Sequence, residues 1–336
     1  MTVAEQASSS CAEIAFRDTT KQYETRSQPA VDHLSFEIPP GEICVLIGPS
    51  GCGKTTALKL VNRLINLTSG DITIDGRSIQ DLELTQLRRG IGYVFQQIGL
   101  FPHMTIQDNI GTVPRLLGWS KQEIRTRAGE LLELVGLEPG TDLSRYPGEF
   151  SGGQQQRIGV ARAMAVDPQI MLMDEPFGAI DPITRDRLQD DFLRLHREAR
   201  KTIIFVTHDI DEAIKMGDRI AIMRDGHLLQ WGTADEILAH PVDEFVANFV
   251  GADRGLKRLR VRTLRDLHLE PLGPGERAGE TSVPITTSLL DVLSLMLSEG
   301  RDVLTVYDKD ESHPIGTVRL EAITATLSPD ATVISA

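Results

Sequence analysis

Nine residues constrain this chain more than any other feature. GPSGCGKTT, Gly48 to Thr56, follows the apolar run Ile43 to Ile47 and precedes a stretch with helical spacing. It fits G-x-x-x-x-G-K-[ST] in the strand, loop and helix setting that a phosphate-binding loop requires. Gly48, Gly51 and Gly53 let the backbone turn tightly. In a loop that also holds Ser50, Cys52 and Thr56, successive N–H groups and the helix N-terminus then point at phosphate oxygens. Lys54 supplies a point charge for the terminal phosphates, and Thr55 offers its hydroxyl to Mg²⁺. A chain built around such a loop is expected to be α/β.

The second signal is IMLMDEP, in which an apolar run delivers Asp174 and Glu175 to the end of a strand. Two acids there can divide the work: Asp174 as a Mg²⁺ ligand, Glu175 as the general base on the attacking water. Adjacent acids after a strand are ordinary solvated residues in most chains, but about 120 residues beyond a phosphate loop they point to nucleotide hydrolysis.

The remaining runs of strand length, Ile91 to Phe95, Ile203 to Val206 and Ile220 to Met223, alternate with helical segments. That alternation predicts a mostly parallel sheet. GDITIDG (Gly70 to Gly76) and the stretch Arg224 to Gly232 predict antiparallel pairing at the sheet's edge, and the text from about 97 to 167 predicts an inserted helical subdomain. The 35 Lys and Arg against 48 Asp and Glu give a net charge of −13, which disfavours nucleic acid as a partner. No apolar run approaches the ~20 residues that span a bilayer. The N-terminus reads as no secretory signal, and Cys11, Cys44 and Cys52 form neither a disulfide framework nor a zinc pattern, so the expected compartment is reducing.

Between the two nucleotide motifs, FSGGQQQR (Phe150 to Arg157) resembles the LSGGQ signature of the ATP-binding cassette (ABC) family, with Phe150 in the usual Leu place. The resemblance covers about residues 13 to 250 and implies a P-loop NTPase that binds ATP and Mg²⁺. By it, Tyr23 is the residue that stacks on adenine and Gln96 is the Q-loop residue, a further Mg²⁺ ligand. Asp181 in GAID corresponds to the D-loop, and His208 in FVTHD to the switch histidine. Ser151, Gly152 and Gly153, with Gln154 after them, precede a helix, so exposed N–H groups and a positive helix end there suit a γ-phosphate. The family's arrangement is a head-to-tail homodimer in which one subunit's phosphate loop faces the other's SGGQ, with two ATP between them.

FQQIGLFPHMTIQDNI, MDEPFGAIDPITRDRLQ and FVANFVGADR are similar to the ATPase subunits of importers for glycine betaine, choline, carnitine and other quaternary amines. That resemblance implies transmembrane permease subunits received near Leu100 to Met104. It also implies an extracellular or periplasmic substrate-binding protein and a peripheral place on the cytoplasmic face of the membrane. Another small solute remains the alternative substrate, and a non-transport ABC ATPase the more distant one.

After Val250 the composition changes. Residues 1 to 12 are expected to be disordered, 13 to 250 to form the ATPase, and 251 to 280 to be a basic, then Gly/Pro-rich linker. The linker's basic part holds Arg254, Lys257, Arg258, Arg260, Arg262 and Arg265, cations that suit a solvated connection or an anionic membrane surface. Residues 281 to 336 predict a small α+β unit, with a helix at Ser288 to Leu297 and strands at Val303 to Tyr307 and Ile315 to Leu320. DVLTVYDKDESHPIGTVRLEAI in it resembles one CBS repeat; a structural or dimerising tail is the other reading.

Overall fold

The computed structural model describes residues 11–95, 99–178, 180–271, 282–308 and 313–327. They belong to two compact units, Met1–Trp231 and Gly232–Ala336.

The first unit is built on a six-stranded sheet. Its strands run in the order His227–Gly232, Arg219–Arg224, Ile43–Ile47, Thr202–Val206, Ile170–Asp174 and Ile91–Val94. The pairings from Arg219–Arg224 through to Ile91–Val94 are all parallel. Every residue of the Ile43–Ile47, Ile170–Asp174 and Thr202–Val206 strands is buried. A sheet covered on both faces has no solvent side, which is why these strands read as unbroken apolar runs.

The antiparallel strands form a second sheet of their own rather than only an edge. Its order is Val31–Ile38, Ile14–Lys21, Ser69–Ile74 and Arg77–Ser78. Phe16 and Phe36 stack across its first pair with ring centroids 4.7 Å apart. One core joins the two sheets: Ile14, Phe36 and Ile72 pack in the same cluster as Leu46, Leu172 and Ile204, with Leu58 and Val61 of the Lys54–Val61 helix. The helix that must begin at the phosphate loop is thereby anchored by its apolar face.

Between Gly99 and Asp167 the described residues form helices and no strand, the longest being Lys121–Leu134 and Gly152–Ala163. Ile106, Leu131, Leu132, Phe150 and Ile158 give this part its own core. Ser120 and Glu123 close a capping box at the start of the longer helix.

Three expectations about organisation differ from the structure. The disordered N-terminal stretch does not extend to residue 12, because Ala12 is fully buried and its carbonyl accepts a hydrogen bond from Thr202 Oγ1 at 2.6 Å; residues 1–10 lie outside the described residues. The boundary falls after Trp231, not after Val250, since the Ala234–Ala239 helix packs against the basic segment of the second unit.

That basic segment is no linker. It forms the Arg254–Val261 helix, whose Leu259 is buried with Leu264, Leu289, Val292 and Val306. Arg258 is buried too, its Nε 2.7 Å from Asp235 Oδ1. Lys257 reaches Asp253 Oδ1 at 3.1 Å and the Val250 carbonyl, and Arg262 donates to the Asp266 carbonyl. Three of the six cations are therefore engaged within the unit. Long arginine stems cover apolar surface while their heads find oxygen, so a charge count misreads such a helix as solvated. Of the Pro/Gly-rich stretch that follows, only Pro271 is among the described residues.

The rest of the second unit runs as strand Ser282–Pro284, helix Leu289–Glu299, strands Val303–Tyr307 and Pro314–Arg319, and helix Leu320–Ala325. Its first two strands pair parallel and the last two antiparallel.

Candidate nucleotide site

Parallel strands end on the same side of a sheet, and ligands of α/β proteins bind beyond those carboxyl ends. Here the order places Ile43–Ile47, Thr202–Val206, Ile170–Asp174 and Ile91–Val94 side by side. The phosphate loop, His208, the Asp174–Glu175 pair and the segment toward Gln96 therefore leave the sheet as neighbours. Gln96 itself lies outside the described residues.

The loop has the expected backbone. Gly48, Gly51 and Gly53 take φ of +151°, +82° and +109°. A Cβ on Gly51 would meet nothing within 4 Å, so this part of the loop faces open space. Lys54 Nζ donates to the carbonyls of Gly48 at 2.6 Å and Pro49 at 3.0 Å, which folds its ammonium back over the loop. Ser50 is exposed and Thr56 half-buried in the first turn of the helix.

Thr55 Oγ1 donates to Asp174 Oδ1 at 3.0 Å, closing the gap between residues 119 positions apart. Burial raises the Asp174 carboxyl above the usual range, and the bond from Thr55 opposes that shift. Two hard oxygens at this spacing beside a phosphate loop form a donor set of the type Mg²⁺ takes.

Glu175 is held at φ +48°, a left-handed conformation that non-glycine residues rarely adopt. Its N–H donates to the Val206 carbonyl at 3.0 Å, and its carbonyl accepts from Gln156 Nε2 at 2.9 Å. Both backbone groups are thus occupied, and carboxylate Oε1 lies 3.2 Å from His208 Nδ1. An acid beside the metal-type oxygens and an imidazole on that acid can take and hold a proton from water.

A match to the family model described as ABC transporter spans residues 31–178. The osmoprotectant import ATP-binding protein OsmV of Salmonella typhimurium is 49% identical over 309 residues, 91% of this chain and 79% of that one. The chain belongs to the ATP-binding proteins of ABC transporters. This ABC ATPase is also 55% identical to the choline transport ATP-binding protein OpuBA of Bacillus subtilis over 92% of its own length and 79% of the relative's. It is 43% identical to the glycine betaine uptake system ATP-binding protein YehX of Escherichia coli, over 88% and 94%. Among solved structures, the dimeric cassette MJ0796 in a post-hydrolysis state bound to ADP and Pi superposes with a TM-score of 0.61 at 35% identity, covering 66% of this chain and 98% of that one.

Ser151 caps the Gly152–Ala163 helix: its hydroxyl accepts from Gln154 N while Gln154 Oε1 accepts from Ser151 N. The N–H groups of Gly152 and Gly153, as the first two of the helix, have no partner within it, and Ser151 and Gly152 are exposed. Asp181 caps the Pro182–Ala199 helix by accepting from Thr184 N at 3.0 Å, a bond that lowers its carboxyl pKa. Tyr23 lies two residues past Lys21, whose carbonyl accepts from Ala30 N; the Ala30 carbonyl sits against Gly53. The reading from sequence passed over Gln156, three positions beyond the glycines it singled out, although an amide in a helix that begins at a signature motif was the available signal.

Cys52 lies inside the phosphate loop, just before the Lys54–Val61 helix. A helix N-terminus lowers a thiol pKa, yet burial here outweighs that and the Lys54 charge, pushing the Cys52 thiol up. Its side chain is almost fully buried with Sγ 3.7 Å from Lys54 Nζ. Alkylation of Cys52 should therefore be slow at pH 7, rise with pH as the thiolate fraction grows ~tenfold per unit, and inhibit once complete, with bound nucleotide protecting. Peptide mapping against residual ATPase activity checks this; a fast, pH-independent reaction contradicts it. Cys44, fully buried in its strand, is raised further and should react last.

Proposed function

We propose that this ABC ATPase drives uptake of a quaternary amine compatible solute of the glycine betaine, choline or carnitine type. The observation that carries the hydrolytic part is the pairing of Glu175 with His208 at 3.2 Å beside the Thr55–Asp174 contact at 3.0 Å, all at the edge of one phosphate loop. The solute class rests on relatives named for choline, glycine betaine and osmoprotectant import at 43–55% identity.

Thr55, Asp174 and Gln96 would hold Mg²⁺, which when bound supplies charge neutralisation between the last two phosphates. Lys54 and the loop N–H groups bind and orient the phosphates, Glu175 accepts the proton of the attacking water, and His208 keeps the carboxylate in place. Tyr23 stacks on the adenine. The exposed start of the Gly152–Ala163 helix supports a homodimer in which its N–H groups and Gln154 face the nucleotide of a second copy, with Asp181 at the same interface.

A groove of about 270 Å³ lined by Arg88, Arg89, Phe95, Phe101, Val113 and Arg162 supports docking of a permease segment next to Leu100 to Met104. An exposed Phe pair in a cationic setting suits an amphipathic partner, and Phe95 and Phe101 are 41% and 40% exposed. The subunit then works at the cytoplasmic face of the membrane, with a substrate-binding protein on the other side. Among the described residues no helix is long and apolar enough to cross a membrane. In the second unit, the strand, helix, strand, strand, helix order supports the CBS-like reading of 281–336.

The test is transport by the complex reconstituted with its permease and binding protein in vesicles. Labelled glycine betaine, choline or carnitine should accumulate only with ATP on the ATPase side, and an excess of unlabelled quaternary amine should compete. ATP-dependent uptake that ignores all three and follows an amino acid or sugar instead overturns the solute class.

A further inference from the structure

Behind the Glu175–His208 pair runs a buried polar chain that binding a nucleotide does not call for. Thr207, Gln189 and Glu212 are 1%, 4% and 9% exposed. Glu212 Oε1 accepts from Gln189 Nε2 at 2.8 Å, and Oε2 accepts from the Thr207 hydroxyl in a short bond. Thr207 Oγ1 also accepts from Asp209 N at 3.1 Å, so one hydroxyl joins the carboxyl to the turn after the histidine. Thr207 N donates to the carbonyl of Leu46.

His208 is bracketed by these bonds. On one side Thr207 is tied to the strand that leads into the phosphate loop; on the other its hydroxyl holds the Asp209 N–H, closing a turn over the histidine backbone. Asp209 then caps the Ile210–Met216 helix that carries Glu212, its Oδ1 accepting from Asp211 N and Glu212 N. Gln189 comes from the Pro182–Ala199 helix, the one that begins at Asp181. Burial pushes the Glu212 carboxyl pKa up, with Asp209 adding to the shift and Thr207, Gln189 and Arg185 opposing it. A fully bonded buried polar chain fixes the relative positions of the segments it joins.

We infer that Gln189, Glu212 and Thr207 are positioning residues that hold His208 against Glu175 and make that hold depend on the helix capped by Asp181. The inference rests on the reading of Glu175 and His208 as the hydrolytic pair. Through it, a displacement of the Asp181 turn along its helix reaches Gln189, then Glu212, then the loop bearing the histidine. Each of the three acts through the position of His208.

Steady-state ATPase kinetics of the full chain test it with Thr207→Val, Thr207→Ser and Gln189→Leu, and with Glu175→Gln as the control. Thr207→Val keeps the side-chain shape and removes both hydroxyl bonds. It should lower kcat by ~10–10²-fold, the loss expected when a catalytic group shifts by about an ångström, with the KM for ATP within about twofold. Thr207→Ser restores the hydroxyl and should bring kcat to within ~3-fold of wild type, although it packs less well than Val. Gln189→Leu should lower kcat by ~3–10-fold, again without moving KM.

A role in packing alone predicts the reverse order of Val and Ser. A wild-type kcat in Thr207→Val, a loss that Ser does not rescue, or a KM that rises in step with the fall in kcat overturns the inference. Should Thr207→Val fail to fold, Gln189→Leu decides: unchanged kcat overturns the inference. If Glu175→Gln retains turnover, the hydrolytic reading itself fails, which is a separate result.

Discussion

Replacing Glu175 by Gln should reduce ATP turnover by ~10²–10⁴-fold while leaving ATP binding intact. The amide has the size of the carboxylate, and its carbonyl oxygen can still accept a hydrogen bond from His208 Nδ1, now 3.2 Å from Glu175 Oε1. The backbone contacts that hold position 175, from its N–H to Val206 and from Gln156 to its carbonyl, involve no side-chain atom of 175 and survive the change. What disappears is the capacity to accept a proton from water. Nucleotide should therefore accumulate bound and uncleaved, and in the proposed homodimer the pair of subunits should become more persistent. Single-turnover phosphate release and gel filtration with ATP measure the two effects. Release within about tenfold of wild type would mean that another group removes the proton.

The second large effect is expected at Gly48. A Cβ there would lie 2.0 Å from the Met223 carbonyl oxygen and 2.9 Å from Cys52 Sγ, at φ +151°. Backbone cannot yield as a flexible side chain does, so in Gly48→Ala the loop itself must move. Strained φ costs about 1–3 kcal/mol and overpacking about the same, giving a loss of roughly 2–6 kcal/mol. For a unit of this size that lowers the thermal midpoint by roughly 4–24 °C. Because the loop's N–H groups would no longer converge, ATP affinity should fall as well. Gly51→Ala is the matched control: φ is +82° but a Cβ meets no atom within 4 Å, so only the conformational part of the cost, about 1–3 kcal/mol, applies. Equal midpoints for the two variants would show that contact with Met223 does not decide the loop's position.

The parts of this protein that the sequence determined by itself are those whose physics is local. Gly48, Gly51, Gly53, Lys54 and Thr55 act within one turn of chain, and their spacing is the mechanism. Ile43–Ile47, Ile170–Asp174 and Thr202–Val206 are buried on both faces, so their composition alone marks them as parallel strands. Helix starts such as Ser120 with Glu123 and Ser151 with Gln154 are likewise readable, since a cap and its partner are three residues apart. The family resemblance added Tyr23, Asp181 and His208, which no local rule would have singled out.

Only the tertiary structure decided the rest. Strand order is set by which apolar faces pack together, and it is this order that brings residues 55, 174, 175 and 208 to one edge, with Thr55 and Asp174 3.0 Å apart across 119 positions. The basic run from Arg254 reads as solvated because charge is counted by residue, whereas burial is settled atom by atom: Arg258 finds Asp235, and Leu259 enters the core. Cys52 sits at a helix N-terminus in the text, but whether a thiol is activated depends on desolvation, which sequence spacing does not contain. The Gln189, Glu212 and Thr207 chain belongs to the same class. Each is an ordinary polar residue in its own segment, and only packing that removes water makes the bonds among them decide where His208 stands.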